Sequence, residues 1–340
     1  MERNTAIDFI KFFAISAVLI IHIFPRDNQM GLFVLDNLSR FAVPFFFIAS
    51  GYFFGNKILQ TSDAHLYFKK YIVKIIKLYI SWLIFYMIYD FFTDFGKGAD
   101  FQKTVQNYLS RVSLIDLIYY GGGTSGYQLW FLTALIWSLT IVFICLKLKK
   151  IKLLLSVSFI LHLIGLFGQS YSVFFDFPES TRDPLFFGLF YTTMGCFFVV
   201  ERSFIKARTL STRTCLSLIG VFSVMQVTEG YILEKMMSGN HGEYFISTIF
   251  LSAFLFLFSL QNPTLGKGMF ITKIGARAVG IYIVHVFFIN LFDLFLSGLL
   301  TKEIGDNLFV NLIKVSVIFS ISYVAYDLLQ ELKRSLRELW

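Results

Sequence analysis

Apolar stretches long enough to cross a lipid bilayer recur along this sequence, separated by short and mostly basic segments. A helix needs about 20 apolar residues to span the bilayer core. Ten segments approach that length: residues 6–24, 38–54, 77–93, 127–146, 153–168, 185–200, 214–230, 244–260, 278–297 and 308–328. Charged residues make up only 15% of the chain, against about 25% in soluble domains. The pattern predicts an all-α integral membrane fold of about ten transmembrane helices, in one domain covering residues 1–340.

The distribution of lysine and arginine predicts the orientation of these helices. If the N-terminus is cytoplasmic, the cytoplasmic segments contain 21 of the 30 basic residues and the outer segments contain 8. Such an excess follows the positive-inside rule. We therefore predict that both termini are cytoplasmic, in a multi-pass protein of the plasma membrane. The net charge of +8 then reflects topology, and we expect no nucleic-acid partner, since those partners require basic residues clustered on a soluble face.

The first span contains three ionisable residues on one helix face. Asp8 and Lys11 are separated by three positions, and Lys11 and His22 by eleven, which is close to three full helical turns. A charged group in hydrocarbon costs at least about 2.5–3.5 kcal/mol, so this face must point into the helix bundle or a wet cavity. A structural Asp8–Lys11 pair stays open as an alternative, whereas a functional role is favoured for His22, which lies beyond the bilayer middle.

Five sequence motifs resemble one known family. Lys11, ten intervening residues and His22 resemble the basic-x10-His signature of the membrane acyltransferase 3 family. Four other stretches resemble motifs of that family in the same order: "RFAVPFFFIASGYFFG" (40–55), "KIIK" (74–77), "LWFLTAL" (129–135) and "GIYIVH" (280–285). Lysine stands at 11, 74 and 77 where the family often has arginine, and Gln128 stands where relatives often have histidine. The resemblance implies an enzyme that moves an acyl group, usually acetyl, from cytoplasmic coenzyme A to a hydroxyl of an extracytoplasmic glycan.

Catalytic and donor-binding roles follow from this resemblance. His22 would be a general base or an acyl carrier, with Lys11 and Asp8 completing the catalytic set. Lys74 and Lys77 would bind the phosphates of acyl-CoA, although the positive-inside rule explains them equally well.

Further expectations concern the ninth span and the acceptor. Tyr282 and His285 share a helix face, with His285 about a third of the way into the span from the cytoplasm. They would bind the pantetheine arm; alternatively, His285 would relay a proton or only pack. Arg40 and Trp130 would contact the acceptor. Alternatively, Arg40 pairs with Asp36, and Trp130 anchors the helix at the membrane interface.

The expected ligands and partners follow from the same reading. We expect acetyl-CoA or another acyl-CoA as donor substrate, a glycan or lipid-linked sugar as acceptor, and no permanently bound cofactor or metal. The lipid bilayer surrounds the chain, which would act alone, as a homo-oligomer, or with a separate extracytoplasmic transferase. The outer segment 94–126 would help to receive the acceptor and form an amphipathic piece around residues 105–118. His162 lies in the fifth span without a polar stripe around it and is predicted to be structural.

A second class of function stays open. The same family resemblance includes membrane domains thought to move small amino acids, such as the membrane half of some serine racemases. In a transporter of a small polar metabolite, Asp8, Lys11 and His22 would form a proton relay. Many transporters consist of two halves related by an inverted repeat, but the motifs of the first half have no counterpart in the second. Acyl transfer is therefore the favoured interpretation.

Overall fold

The computed structural model describes residues 4–25, 29–96, 101–102, 105–106, 113–175, 177, 180–203, 210–296 and 307–338. These residues form helices and turns, with no strand among them. We label the described helices α1 (Thr5–Ile23), α2 (Met30–Ser39), α3 (Ala42–Ile58), α4 (Ala64–Gly96), α5 (Trp130–Lys147), α6 (Ile151–Gly165), α7 (Leu189–Val200), α8 (Thr212–Gly230), α9 (Ile246–Gln261), α10 (Phe270–Gly275), α11 (Ala278–Leu296) and α12 (Leu308–Glu338). Three π-helical turns cover Asp116–Tyr120, Pro184–Gly188 and Tyr231–Met236.

The all-α membrane architecture predicted from the sequence is confirmed. Within the described residues, eight helical segments are long and apolar enough to cross a membrane, and two shorter apolar ones cover Pro184–Val200 and Ile246–Gln261. Each of these ten segments corresponds to one predicted span. Helices α4, α8 and α12 expose large apolar side chains along their length, including Ile84, Val224 and Ile321. Such surfaces suit contact with lipid chains, which impose no cost on exposed apolar groups. The single-domain expectation and the cytoplasmic placement of the termini stay predictions.

Two helices differ from the predicted spans in instructive ways. α4 begins at Ala64 rather than at residue 77, because the Asp63 carboxylate accepts a hydrogen bond from Leu66 N at 2.9 Å and so caps the helix start. Hydropathy reports only where a helix becomes apolar, so this polar first part was missed. The second span is broken at Arg40 and Phe41, between α2 and α3. The predicted amphipathic piece at 105–118 includes residues 107–112, which lie outside the described residues, and its last three positions belong to the π-helical turn Asp116–Tyr120.

The described helices form two compact units. Unit 1 comprises Met1–Phe46, Leu210–Ile232 and Tyr244–Trp340. Helix α1 is its central element and packs against α2, α9, α10, α11 and α12. A buried polar network connects other helices of this unit: Gln226 donates to the carbonyl of Asn37 at 2.5 Å, and Thr248 donates to the Gln226 side chain at 2.8 Å. Because buried polar groups require partners, these contacts fix the register of α2, α8 and α9.

Unit 2 comprises Phe47–Thr209 and Leu233–Glu243. Here α7 packs against α5 and α6, and α4 packs against α5. Gly51 of the "SGY" motif explains the contact of α3 with α7: a Cβ at this position would collide with the backbone carbonyl of Thr192. The glycine thus allows the two helix backbones to approach closely, as small residues do in membrane helix pairs.

Candidate functional site

The ionisable face of α1 begins with an ion pair inside unit 1. Lys11 Nζ lies 3.5 Å from Asp8 Oδ1, and both side chains are mostly buried, with exposed fractions of 17% and 8%. The i,i+3 spacing brings them together on one helix face. The predicted Asp8–Lys11 pairing is therefore present. The carboxylate offsets the charge of the ammonium group, and the catalytic role of Lys11 and Asp8 stays a prediction.

The chain before α11 runs alongside the first half of α1. Thr5 Oγ1 lies 3.0 Å from the carbonyl oxygens of Pro263 and Leu265, at the start of α1. Helix α10 then follows α1 so closely that a Cβ on Gly275 would collide with the Asp8 carbonyl. Only a glycine fits this approach. As a result, α11 begins partway along α1 rather than beside its first turn.

This arrangement brings His22 and His285 together. The two imidazole rings stack with their centroids 5.3 Å apart and an angle of 29° between their planes. The sequence predicted His22 beyond the bilayer middle and His285 a third of the way into its span, and both depths stay predictions. The two rings meet because α10 displaces the start of α11 along α1. Two predicted site residues with different predicted roles thus form one pair.

The hydrogen bonds of His285 define its tautomer. His285 Nδ1 lies 2.6 Å from the carbonyl oxygen of Tyr282. A carbonyl only accepts, so Nδ1 carries the proton, and in the neutral ring Nε2 carries a lone pair. His285 is completely buried, and no described residue forms a hydrogen bond with its Nε2. A ring nitrogen with a lone pair is the group that a general base uses to take up a proton.

Tyr282 supports this pair from the same helix. Its ring is 4% exposed and lies 5.7 Å from the His285 ring and 6.4 Å from the Phe46 ring, between centroids. Tyr282 and His285 are three positions apart, as predicted, and the hydrogen bond between them uses the Tyr282 backbone carbonyl. Tyr282 therefore positions the imidazole, and its role in binding the pantetheine arm stays a prediction.

Arg40 is held by Asp36 in unit 1. Its guanidinium donates from Nη2 to both oxygens of Asp36, at 2.8 and 2.7 Å, and from Nε at 3.2 Å. Both residues are buried. The predicted Asp36–Arg40 pair is therefore present, one turn before the break between α2 and α3. This geometry favours a structural role for Arg40 at the break over direct contact with an acceptor.

Lys74 and Lys77 belong to unit 2 and lie within α4. Both side chains are exposed, and neither forms an ion pair within the described residues. Their spacing of three places them on one face of α4. Two adjacent ammonium groups without a carboxylate partner are suited to binding a phosphate-bearing ligand. That role stays a prediction.

Trp130 opens α5 in unit 2, where it is 5% exposed. Its burial excludes an anchor facing lipid headgroups. The Arg182 guanidinium carbon lies 5.3 Å from the Trp130 ring centroid, and the same guanidinium donates to Glu243 at 2.6 Å. The Glu243 backbone N–H in turn donates to Gln169 at 3.2 Å. Sequence reasoning missed Arg182 and Glu243, because 61 positions separate them and neither belongs to a motif.

Two other residues considered from the sequence are structural in unit 2. Gln128 is buried and donates to the Tyr86 hydroxyl at 2.7 Å. His162 is also buried and uses both ring nitrogens, with Nδ1 2.8 Å from the Phe186 carbonyl and Nε2 3.3 Å from the Tyr191 hydroxyl. These contacts agree with the structural role predicted for His162.

Comparison with known proteins identifies what this chain resembles. The sequence profile described as "acyltransferase domain", of the acyltransferase 3 type, matches residues 4–327. A protein of Enterococcus faecalis named amino-acid racemase is 25% identical over 357 aligned residues, covering 99% of this chain and 47% of the relative. A second Enterococcus faecalis protein of the same name is 24% identical over 211 residues, covering 57% of this chain and 28% of that protein. The chain thus spans about half the length, or less, of these curated relatives. No solved structure matches it.

Proposed function

Because this chain belongs to the acyltransferase 3 family, we propose that it is a multi-pass membrane O-acyltransferase of the plasma membrane. Its donor would be cytoplasmic acyl-CoA, most simply acetyl-CoA. Its acceptor would be a hydroxyl of an extracytoplasmic glycan, a lipid-linked sugar or another envelope component. The observation that carries this proposal is the stacked His22–His285 pair, in which one buried ring nitrogen is able to accept a proton.

Direct transfer uses the pair as a general base. The acceptor hydroxyl gives its proton to a histidine nitrogen, for which His285 Nε2 has the required lone pair. The hydroxyl oxygen then bonds to the thioester carbonyl carbon, the carbon–sulfur bond breaks, and the departing thiolate of coenzyme A takes up the proton. The products are the acyl ester and free coenzyme A.

Relayed transfer divides the same chemistry into two steps. A nitrogen of His22 attacks the thioester carbonyl carbon, the carbon–sulfur bond breaks, and the departing thiolate takes up the proton that His22 loses from its other ring nitrogen. The acceptor hydroxyl then attacks the acyl-histidine while His285 takes the hydroxyl proton. His285 returns this proton to His22 as the bond between the His22 nitrogen and the acyl carbon breaks. The relayed route requires the two rings to be adjacent, and in the direct route His22 stacks on the ring that takes the proton. This supports treating His22 and His285 as one catalytic unit, with Lys11 and Asp8 on the same face of α1.

Donor and acceptor contacts are proposed for unit 2. Lys74 and Lys77 would attract the polyanionic coenzyme A, because their charges are exposed and not neutralised by a carboxylate of the described residues. On the acceptor side, Trp130 offers an aromatic ring and Arg182 a set of N–H donors, and Glu243 holds that guanidinium in place. An aromatic ring next to hydrogen-bond donors suits a hydroxyl-rich sugar.

The proposal is tested with purified protein in lipid vesicles supplied with acetyl-CoA and a crude envelope glycan fraction. Release of the coenzyme A thiol and acylation of the glycan are measured together. We expect His22→Ala to reduce transfer by about 10²–10⁴-fold, the usual contribution of acid–base catalysis. The matched control is His65→Ala, which removes an exposed histidine of α4. Equal activity in both variants would contradict the proposal. An acyl group trapped on His22 without acceptor would identify the relayed route.

Transport of a small amino acid is the second candidate function. The observation in its favour is that both curated relatives carry the name amino-acid racemase. Counterflow of radiolabelled serine and alanine into the same vesicles tests it. Uptake that needs His22 but no acyl-CoA would favour a transporter, whereas acetyl-CoA consumption coupled to glycan acylation would favour the transferase.

A further inference from the structure

A cavity of about 500 Å³ opens in unit 2 beside two of the π-helical turns. Tyr119 and Tyr120 come from the turn Asp116–Tyr120, and Phe186 comes from the turn Pro184–Gly188. The rest of the wall consists of Ile115, Phe177, Ser180 and Asp183. π-Helical turns are rare and recur at functional sites. Two of them at one cavity, far in sequence from the histidine pair, indicate a site of its own.

The cavity wall combines four aromatic rings with one carboxylate. Tyr119 and Tyr120 meet edge to face with centroids 4.9 Å apart, and Phe177 and Phe186 do so at 5.8 Å. Asp183 is 3% exposed, and none of the described residues lining this cavity is basic. A buried carboxylate normally has a cationic partner, because an uncompensated charge in a poorly solvated site is costly.

Helix capping explains only part of this geometry. Asp183 Oδ1 accepts a hydrogen bond from Phe186 N at 2.8 Å, and Oδ2 accepts one from the Tyr119 hydroxyl at 3.2 Å. A helix N-cap needs a single acceptor oxygen, which asparagine or serine supplies equally well. The Leu185 N–H also bonds to this carboxylate, and the helix dipole favours a negative charge at a helix start. Capping does not, however, account for the aromatic rings around Asp183.

We propose that this cavity binds an organic cation, with an ammonium group held between the aromatic rings and facing the Asp183 carboxylate. Aromatic faces attract cations, and the carboxylate supplies the opposite charge. The volume lies in the usual range for ligand pockets and exceeds that of an ammonium group alone, so the cation belongs to a larger organic molecule. A neutral sugar would use the rings and donate hydroxyl hydrogen bonds to the carboxylate, but it would supply no opposite charge. The site does not depend on the acyl transfer proposed above.

The binding experiment compares charged ligands with their neutral counterparts on the full chain in nanodiscs. The ligand pairs are choline with 3,3-dimethyl-1-butanol, and glucosamine with glucose, measured by calorimetry. We expect the cation of at least one pair to bind at least tenfold more tightly than its neutral counterpart. If only choline binds more tightly than its neutral counterpart, the site selects a quaternary ammonium group. If only glucosamine does, the site selects a primary one. Equal binding within both pairs, or no binding of either cation, overturns the proposal.

Substitutions then assign the binding to this cavity. Asp183→Asn removes the charge but keeps the helix cap, and should weaken cation binding at least tenfold. Asp63→Asn is the matched control, because Asp63 caps α4 through the same i,i+3 contact with Leu66 N. Tyr120→Leu removes one aromatic face and should weaken binding severalfold. Unchanged binding in folded Asp183→Asn protein, or equal loss in Asp63→Asn, contradicts the assignment.

Choline also allows a test against pH, because its own charge is permanent. Burial raises the pKa of Asp183 to about 6, so the carboxyl is mainly charged at pH 7.5 and mainly neutral at pH 5. The titratable groups facing it, Tyr119 and Tyr120, are phenols that stay neutral over this range. Two other ionisable residues lie near Asp183, and both have partners of their own. Arg182 pairs with Glu243, and His162 forms hydrogen bonds with the Phe186 carbonyl and the Tyr191 hydroxyl. If choline is the bound cation, its affinity should fall severalfold from pH 7.5 to pH 5 in the native protein, but not in Asp183→Asn.

Discussion

His162 in unit 2 and His285 in unit 1 are both completely buried within apolar helices, yet their surroundings differ. Both nitrogens of His162 have hydrogen-bond partners on the packed side of its helix. His285 uses only Nδ1, and its second nitrogen has no described partner and lies in a ring stacked on His22. Burial alone therefore does not mark a functional histidine. The use of the second nitrogen separates a structural imidazole from one that is available for proton transfer.

The π-helical turn Pro184–Gly188 explains why His162 is satisfied. A π turn leaves a backbone carbonyl outside the regular helical ladder, and the Phe186 carbonyl accepts the His162 Nδ1 proton. At His285 the acceptor is the Tyr282 carbonyl, one turn earlier in the same helix. The hydrogen bond of His162 joins α6 to the turn Pro184–Gly188, whereas that of His285 only orients its own ring within α11.

The largest expected effect comes from the same substitution at both histidines. His285→Phe keeps an aromatic ring against His22 but removes the proton-accepting nitrogen, so transfer should fall by about 10²–10⁴-fold. His162→Phe should leave the rate per folded molecule within about threefold of the native one. The measurement is acyl transfer in vesicles, normalised to folded protein. Equal rate losses at the two sites would break the comparison.

The loss of stability should be larger for His162→Phe than for His285→Phe, which is the reverse of the order expected for the transfer rates. His162→Phe removes two hydrogen bonds from a buried site, one to the Phe186 carbonyl and one with the Tyr191 hydroxyl, and the loss of a buried hydrogen-bond partner costs about 1–3 kcal/mol. His285→Phe removes only one local contact within a helix and should cost less. Thermal unfolding of both variants in the same detergent checks the order. A more severe loss at position 285 would show that its imidazole is structural.

Substitution of the lysines should give the smallest change and should affect donor binding rather than chemistry. Lys74→Gln with Lys77→Gln should raise KM for acyl-CoA severalfold, leave kcat nearly unchanged and reduce the salt sensitivity of KM. Lys147→Gln with Lys150→Gln removes two exposed lysines that are predicted to face the same side of the membrane, and serves as the control. If both pairs change KM equally, only net charge matters. If neither does, Lys74 and Lys77 contribute to topology alone.

The sequence predicted the helical segments well because each must be apolar over a set length to cross a bilayer. It also predicted the pairs Asp8–Lys11 and Asp36–Arg40, since helix spacing alone brings such residues together. The parts of the candidate sites that the sequence did not predict depend on contacts between segments that are distant in the chain. The His22–His285 stack arises from the path of α10, and the Arg182–Glu243 pair from segments with no shared period. The cavity at Asp183 requires π-helical turns, which no simple periodicity signals.

The central claim is that His22 and His285 act as one catalytic unit, and a double-substitution cycle tests it most directly. Transfer rates are measured for the native protein, His22→Phe, His285→Phe and the double variant, with folding checked for each. Residues that act as a unit show strongly non-additive effects, so we predict that the double variant is no more than about threefold slower than the slower single variant. A double variant whose loss equals the product of the two single losses, or a His285→Phe protein with full activity, would contradict the account.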